Sequence, residues 1–381
     1  MKNLFLLSIA KHPSLFFLRI YFLCQALIIY FLVSLAYANT SIHLTANNDS
    51  STVGKIDSLF TTDEPVNITL VLDYKKIVRE KTKEPAYSPA SVFLTNSESK
   101  KDSFEIKVKT RGYARRLYSY CTFPPLMLNF KKGATKNTIF QGQNKLKLVT
   151  YCSNSDINES YVMEEYLIYK IYNILTDYSY RVRLVRVTYQ DINNKMKPIT
   201  RVGFFIESPE KLAGRVGGKI YKVKLPNQDA CDHPAIELFT LFQYMIGNTD
   251  WWVLNFHNVT LLKVPGKLPV PVPFDFDYSG AINTPYAAPT ESLPIKTVRE
   301  RLFRGYCRPL GTYEKSVKIF DDNKDAIYSL YQNFSYGDKR RILGALKYYD
   351  EFYKTVNDPK LIVWRIYDAC EIKHTHMHQM K

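Results

Sequence analysis

Two acidic segments carry the chemistry that the sequence can support. Asp250 lies in Gly247-Asn248-Thr249-Asp250-Trp251-Trp252-Val253-Leu254-Asn255-Phe256-His257-Asn258, and Asp275 opens Asp275-Phe276-Asp277-Tyr278-Ser279-Gly280 further on. Phosphoryl transfer needs such a combination. One carboxylate accepts the proton of an attacking hydroxyl, while a second carboxylate and an amide oxygen hold metal ions against the phosphates. Asp250 and Asn255 stand at the five-residue offset used for this in phosphotransferase loops, and Asp275 or Asp277 takes the place of the second acid. The offset alone also recurs by chance in long chains, where Asp250 would cap local backbone and Asp275 and Asp277 would be solvated strand-end acids.

These side chains need elements to bring them together. A helix with Leu238, Phe239, Phe242 and Met245 inward is predicted over Ile236 to Ile246, ending at Gly247. A strand over Val259 to Val264, a turn at Pro265-Gly266-Lys267 and a returning strand over Leu268 to Phe274 then deliver Asp275. Pro271 and Pro273 predict that the second strand is irregular and exposed. Upstream, alternation predicts strands at Val66–Leu72, Ser91–Leu94, Phe104–Lys109, Pro125–Phe130 and Lys145–Thr150. A helix capped by Ser155 or Asp156, with Met163, Leu167, Ile171 and Ile174 as its stripe, and two strands over Tyr180–Gln190 and Ile199–Ile206 follow. Three helices are predicted between Tyr313 and Ala369. The chain is therefore α+β, β-rich first and helical afterwards.

The N-terminus has Lys2, Lys11 and Arg19, no acid up to Ala38, an apolar run from Ile20 to Leu35 and an Ala36-Tyr37-Ala38 end. That pattern predicts a signal peptide over 1–38 and a secreted or periplasmic mature chain; the alternative is an N-terminal membrane anchor. Cleavage takes Lys+Arg from 52 to 49 against 36 acids, a formal charge of +13. The basic residues sit in mixed runs, and a translocated chain meets little DNA, so nucleic acid is not expected as a partner; an anionic surface or a phosphorylated ligand is. Cys121, Cys152, Cys231, Cys307 and Cys370 remain, an odd number that leaves a thiol unpaired, and Cys121 and Cys152 could be bridged across two central strands. His374, His376 and His378 form a terminal run that reads as a frayed tail.

The order of several segments resembles the spore-coat-protein-H (CotH) family of atypical secreted kinases. They are Arg111-Gly112, Phe123-Pro124-Pro125-Leu126 through Phe130-Lys131-Lys132, Lys145-Leu146-Lys147-Leu148, Glu164-Glu165-Tyr166, Gly203-Phe204-Phe205-Ile206-Glu207, Gly247-Asn248-Thr249-Asp250 and Phe274-Asp275-Phe276-Asp277. The loop is more distantly similar to that of HipA-type kinases. The resemblance implies a bilobal protein-kinase-like fold, with a β-rich N-terminal lobe carrying one main helix and a helical C-terminal lobe. Its expected division is a leader and β-rich region over 39–103, an N-lobe over 104–213, a C-lobe over 214–355 and a C-terminal helix and tail over 356–381. No His-Arg precedes Asp250 and no Gly-rich loop appears in the first half, both departures from ordinary kinases.

On this resemblance Asp250 is the catalytic acid and Asp275 the metal acid, assisted by Asp277. Either Asn255 or Asn258 is the metal-binding amide. Lys147 pairs with Glu165 or Glu164 to hold the nucleotide, and Phe205-Ile206-Glu207 offers hinge groups to adenine. The activity implied is transfer of the γ-phosphate of ATP, with Mg²⁺ or Mn²⁺, to a protein or other hydroxyl acceptor. The alternatives are a catalytically inactive binding protein of the cell envelope, and a metal-dependent hydrolase using Asp250, His257, Asp275 and Asp277.

Overall fold

Strict alternation of buried and exposed side chains builds most of the first half. The computed structural model describes residues 58–95, 101–112, 115 and 121–370, all within the unit Gly54–Lys381. The N-terminal apolar segment and the terminal histidines lie outside these residues. Strand β1 (Val66–Leu72) turns Val66, Ile68, Leu70 and Leu72 inward. A short helix α1 (Tyr74–Arg79) follows, its first turn capped by Asp73. Then come β2 (Ser88–Thr95), β3 (Lys101–Thr110), β4 (Leu126–Phe130) and β5 (Lys145–Val149), the 20-residue helix α2 (Asp156–Leu175), and β6 (Val182–Asp191) and β7 (Ile199–Ile206).

These seven strands close into a barrel in the order β1-β2-β3-β4-β5-β7-β6. All neighbours are antiparallel except β1 and β6, which pair in parallel from Val66 opposite Val185 to Leu72 opposite Asp191. The expectation of a bilobal kinase-like fold is overturned by this closed, mixed seven-stranded barrel. The reason lies before residue 104. Had β1 and β2 been a separate leader, β3 and β6 would end the sheet as open edges. Instead β1 and β2 fill the gap between them, and closure removes both edges.

The barrel interior is dense in rings. Phe130 stacks on Phe140 with centroids 5.1 Å apart, and Phe123 stacks on Tyr151 at 5.0 Å. Successive residues of a strand face opposite sides, so Phe205 enters this interior while Phe204 packs outward beneath Tyr166 and Tyr169 of α2. The α2 stripe thereby covers the outer face of β6 and β7.

Past Ile206 the chain turns helical. Ser208 caps α3 (Pro209–Arg215), which opens on a proline. Then follow β8 (Lys219–Ile220), α4 (His233–Ile246), β9 (Val259–Lys263) and β10 (Val270–Pro273), the three strands forming a small sheet in the order β10-β9-β8. Helices α5 (Glu314–Asp322), α6 (Lys324–Gln332), α7 (Lys339–Asn357) and α8 (Pro359–Ile362) complete the core with α2 and α4. The prolines do place β10 at an edge, but it is buried rather than exposed, with α4 packed against it. Cys121 is bonded to Cys152, and Cys307 to Cys370; Cys231 is a buried free thiol.

Candidate functional site

Asp250 is placed by the end of α4. Gly247 adopts φ 64° there, and a Cβ on it would lie 2.0 Å from the Tyr348 hydroxyl. A left-handed residue at this cap must be glycine for both reasons. The Gly280 N–H donates to the Gly247 carbonyl at 3.0 Å, tying the Asp250 loop to the end of the Asp275–Gly280 segment. Asn248 then accepts from the Asp250 N–H at 3.0 Å. An arginine strap fixes the rest: Arg301 donates to the Tyr244 and Met245 carbonyls, and Arg304 donates to the carbonyls of Thr249 at 2.6 Å and Trp251 at 3.0 Å.

After Asp250 the backbone makes a tight hairpin. Trp252 and His257 exchange backbone hydrogen bonds of 2.9 and 3.0 Å, and Phe256 and Asn258 take φ values of 59° and 53°. This returns the chain onto Asp250. The Asn258 amide donates to the Asp250 carbonyl at 2.8 Å and to its carboxylate at 3.0 Å; His257 Nε2 lies 2.8 Å from the other carboxylate oxygen. That hydrogen bond raises the His257 pKa above its ordinary value. Asn255 instead turns outward, exposed, its side chain accepting from the His257 N–H at 3.1 Å.

Asp275 follows β10 with φ 66°, its N–H donated to the Tyr169 hydroxyl at 2.9 Å. Asp277 receives Arg115 Nε and the Tyr286 hydroxyl, each at 3.0 Å. Asp250, Asn258, Asp275, Asp277 and the α2 residue Glu165 all line one cavity of about 410 Å³, together with His257, Arg111 and Arg115. Burial, with Asp277 beside them, raises the carboxyls of both Glu165 and Asp275. Asp275 is exposed at the cavity wall, yet the protein packed around it and the nearby Asp277 still disfavour its charge. Arg115 stays charged despite burial, because Tyr286, Asp277 and Glu165 carry its pKa well above the usual value.

The other expected residues fall differently. Lys147 sits on β5 with Lys145, on the face turned away from the barrel interior. Burial, then the like charge of Arg111, lowers its pKa to about 8, while Asp275 pulls it back up. Its amine lies 5.3 Å from the Phe274 ring, not against Glu165. Glu165 faces Arg115 at 3.6 Å, and Glu164 is bonded by Arg341. Glu207 is buried and held by Arg215 at 2.9 and 3.0 Å, away from the cavity. Reading by spacing missed Arg115 and the His257–Asp250 contact. The only signal for the first was its position four residues after Arg111.

No family model matches the chain, and no curated protein is significantly similar to it. The likeness to spore-coat-protein-H kinases therefore rests on the quoted motifs alone.

Proposed function

We propose that the chain is an exported phosphotransferase that moves the γ-phosphoryl group of ATP, with Mg²⁺ or Mn²⁺, onto a hydroxyl acceptor. The observation that carries this reading is the gathering of both charges around one cavity. Asp250, Asn258, Asp275 and Asp277 line it together with Arg111 and Arg115. Oxygens for a cation and guanidiniums for phosphates are what a metal–polyphosphate complex demands.

The residues fit such a group. Glu165 Oε2 and Arg111 Nε are buried without a hydrogen-bond partner; the 3.6 Å approach of Arg115 to Glu165 is an ion pair too long to be a hydrogen bond. Among the described residues no three acidic, His or Cys side chains make a ready metal site. Mg²⁺ is commonly held by one or two carboxylates plus substrate phosphates and water. Asp275 and Asn258 would hold it, with Asp277 assisting through the oxygen not bound to Arg115. When bound it would neutralise charge on the phosphates.

This chain's own residues supply the rest. Arg111 and Lys147 offer positive charge to the phosphates. Asn258 and His257 orient both oxygens of the Asp250 carboxylate. Asp250 takes the acceptor proton as the acceptor oxygen bonds to the γ-phosphorus. The bond from that phosphorus to the ADP oxygen breaks, and ADP leaves with the electron pair. The two disulfides support an oxidising compartment and hence export.

Melting of the chain from Asn39 onward, with ATP, with Mg²⁺ and with both, tests the reading. A joint shift that disappears in Asp275→Ala, together with label transfer from γ-labelled ATP, is expected. A shift with metal alone would favour the hydrolase reading, for which the His257–Asp250 pair is the supporting contact.

A further inference from the structure

Asp250 and His257 stand between two spaces. One is the charged cavity of Asp275 and Arg111. The other, of about 530 Å³, is lined by Trp252, Leu254, Asn255, Ser292, Leu293 and Arg304 among others. A hydroxyl in the second space would have the Asp250 carboxylate on its wall, and that carboxylate also lines the cavity of Asp275 and Arg111.

We propose that this second space is the acceptor site, and that its occupant is a neutral sugar presenting one ring hydroxyl to Asp250; the inference rests on the phosphotransferase reading. The wall chemistry argues for it. Trp252, Leu254 and Leu293 supply a flat ring and aliphatic surface for the apolar face of a pyranose. Asn255, Thr290 and Ser292 place an amide and two hydroxyls around the rim for its hydroxyl groups. The guanidinium of Arg304 lies 4.1 Å over the Trp252 ring and fixes its orientation.

Charge argues against a basic peptide. Asp250 is the one carboxylate among the described lining residues, and it is already bonded to His257 and Asn258. No acidic side chain is left to recognise a cation, and Arg304 would repel one. Shape argues in the same direction. The space is bounded on one side by the Trp252–His257 hairpin and on the other by a turn in which the Leu293 N–H donates to the Thr290 carbonyl at 2.9 Å. A volume of this size suits a compact small molecule, whereas an extended peptide needs an open sheet edge or a long groove. In the transfer, the sugar oxygen bonds to the γ-phosphorus, its proton passes to Asp250, and ADP departs with the electrons of the broken bond.

Calorimetric titration of the whole mature chain with methyl glycosides of glucose, galactose, xylose and N-acetylglucosamine tests this, with a serine peptide flanked by arginines as the competing probe. The expected result is binding of at least one glycoside, weakened about tenfold or more in Trp252→Ala and in Leu293→Asp. The second variant sits on an exposed turn and leaves the core untouched. Both variants should keep the melting shift with ATP and Mg²⁺. Glycoside silence up to about 10 mM, beyond the weak end of specific affinity, overturns the sugar site if the nucleotide shift is present. Peptide binding abolished by the same two variants overturns it equally. Glycoside binding with no nucleotide shift upholds the sugar site and overturns the phosphotransferase reading.

Discussion

Asp250 has hydrogen bonds to both carboxylate oxygens, and none of them comes from a group that must be lost for it to accept a proton. Asp250→Asn keeps the shape and removes the basicity. It should slow transfer by about 10²–10⁴-fold while leaving the ATP–Mg²⁺ melting shift in place; equal loss of the shift would place Asp250 in nucleotide binding instead. Lys147 gives a pH test. Its folded pKa is lowered to about 8 by burial, below the value of a free lysine. Below pH 8 the amine is charged and can meet phosphates. Above it the free protein loses that proton and must take one up to bind. Nucleotide affinity should therefore fall as pH rises from 7 to about 9.5, and the fall should vanish in Lys147→Met, read by calorimetry at each pH. The stability sign is the reverse: between 8 and the free-lysine value the unfolded chain holds more protons, so folding strengthens as pH rises. The acids of this site were legible from type and spacing. The choice between Asn255 and Asn258 was not, because it depends on left-handed Phe256 and Asn258, which have no Gly to announce them.

At the junction of α4 with the Asp250 loop, Gly247 has less room for a Cβ than the other glycines among the described residues. Gly247→Ala meets both a positive φ and the Tyr348 hydroxyl, whereas Gly266, also at positive φ, has open space around it. Gly247→Ala should cost about 1–3 kcal/mol and more than Gly266→Ala, read as midpoints of denaturant unfolding. Adding Tyr348→Phe should recover part of the difference by removing the clashing oxygen; no recovery would mean that backbone strain alone sets the cost. The strands themselves were readable because period-two alternation is local. Closure was not, because the β1–β6 pairing joins segments more than a hundred residues apart and leaves no mark in either strand. The burial of β10 was misread for a related reason: proline reports a missing N–H, and hence an edge, but not the helix that covers it.

For the molecule as a whole, the motifs behind the bilobal expectation all fall between 110 and 282, whereas closure comes from β1 and β2 before them. Cysteine oxidation makes the compartment testable at the same scale. The sequence has six cysteines, four of which are paired as Cys121–Cys152 and Cys307–Cys370, leaving Cys24 and Cys231. The bridges close spans of 31 and 63 residues, each worth about 4 kcal/mol in the chain-entropy account. In native buffer Cys231 should resist alkylation, since it is buried and its thiol is pushed up to about 12, chiefly by burial. In denaturant without reductant, a chain recovered from outside the cytoplasm and cleaved after Ala38 should take up one alkyl group, at Cys231. A chain keeping its N-terminus should take up two, the second at Cys24. Five labels on the cleaved chain would mean reduced thiols throughout, and would remove the oxidising compartment on which the export reading leans.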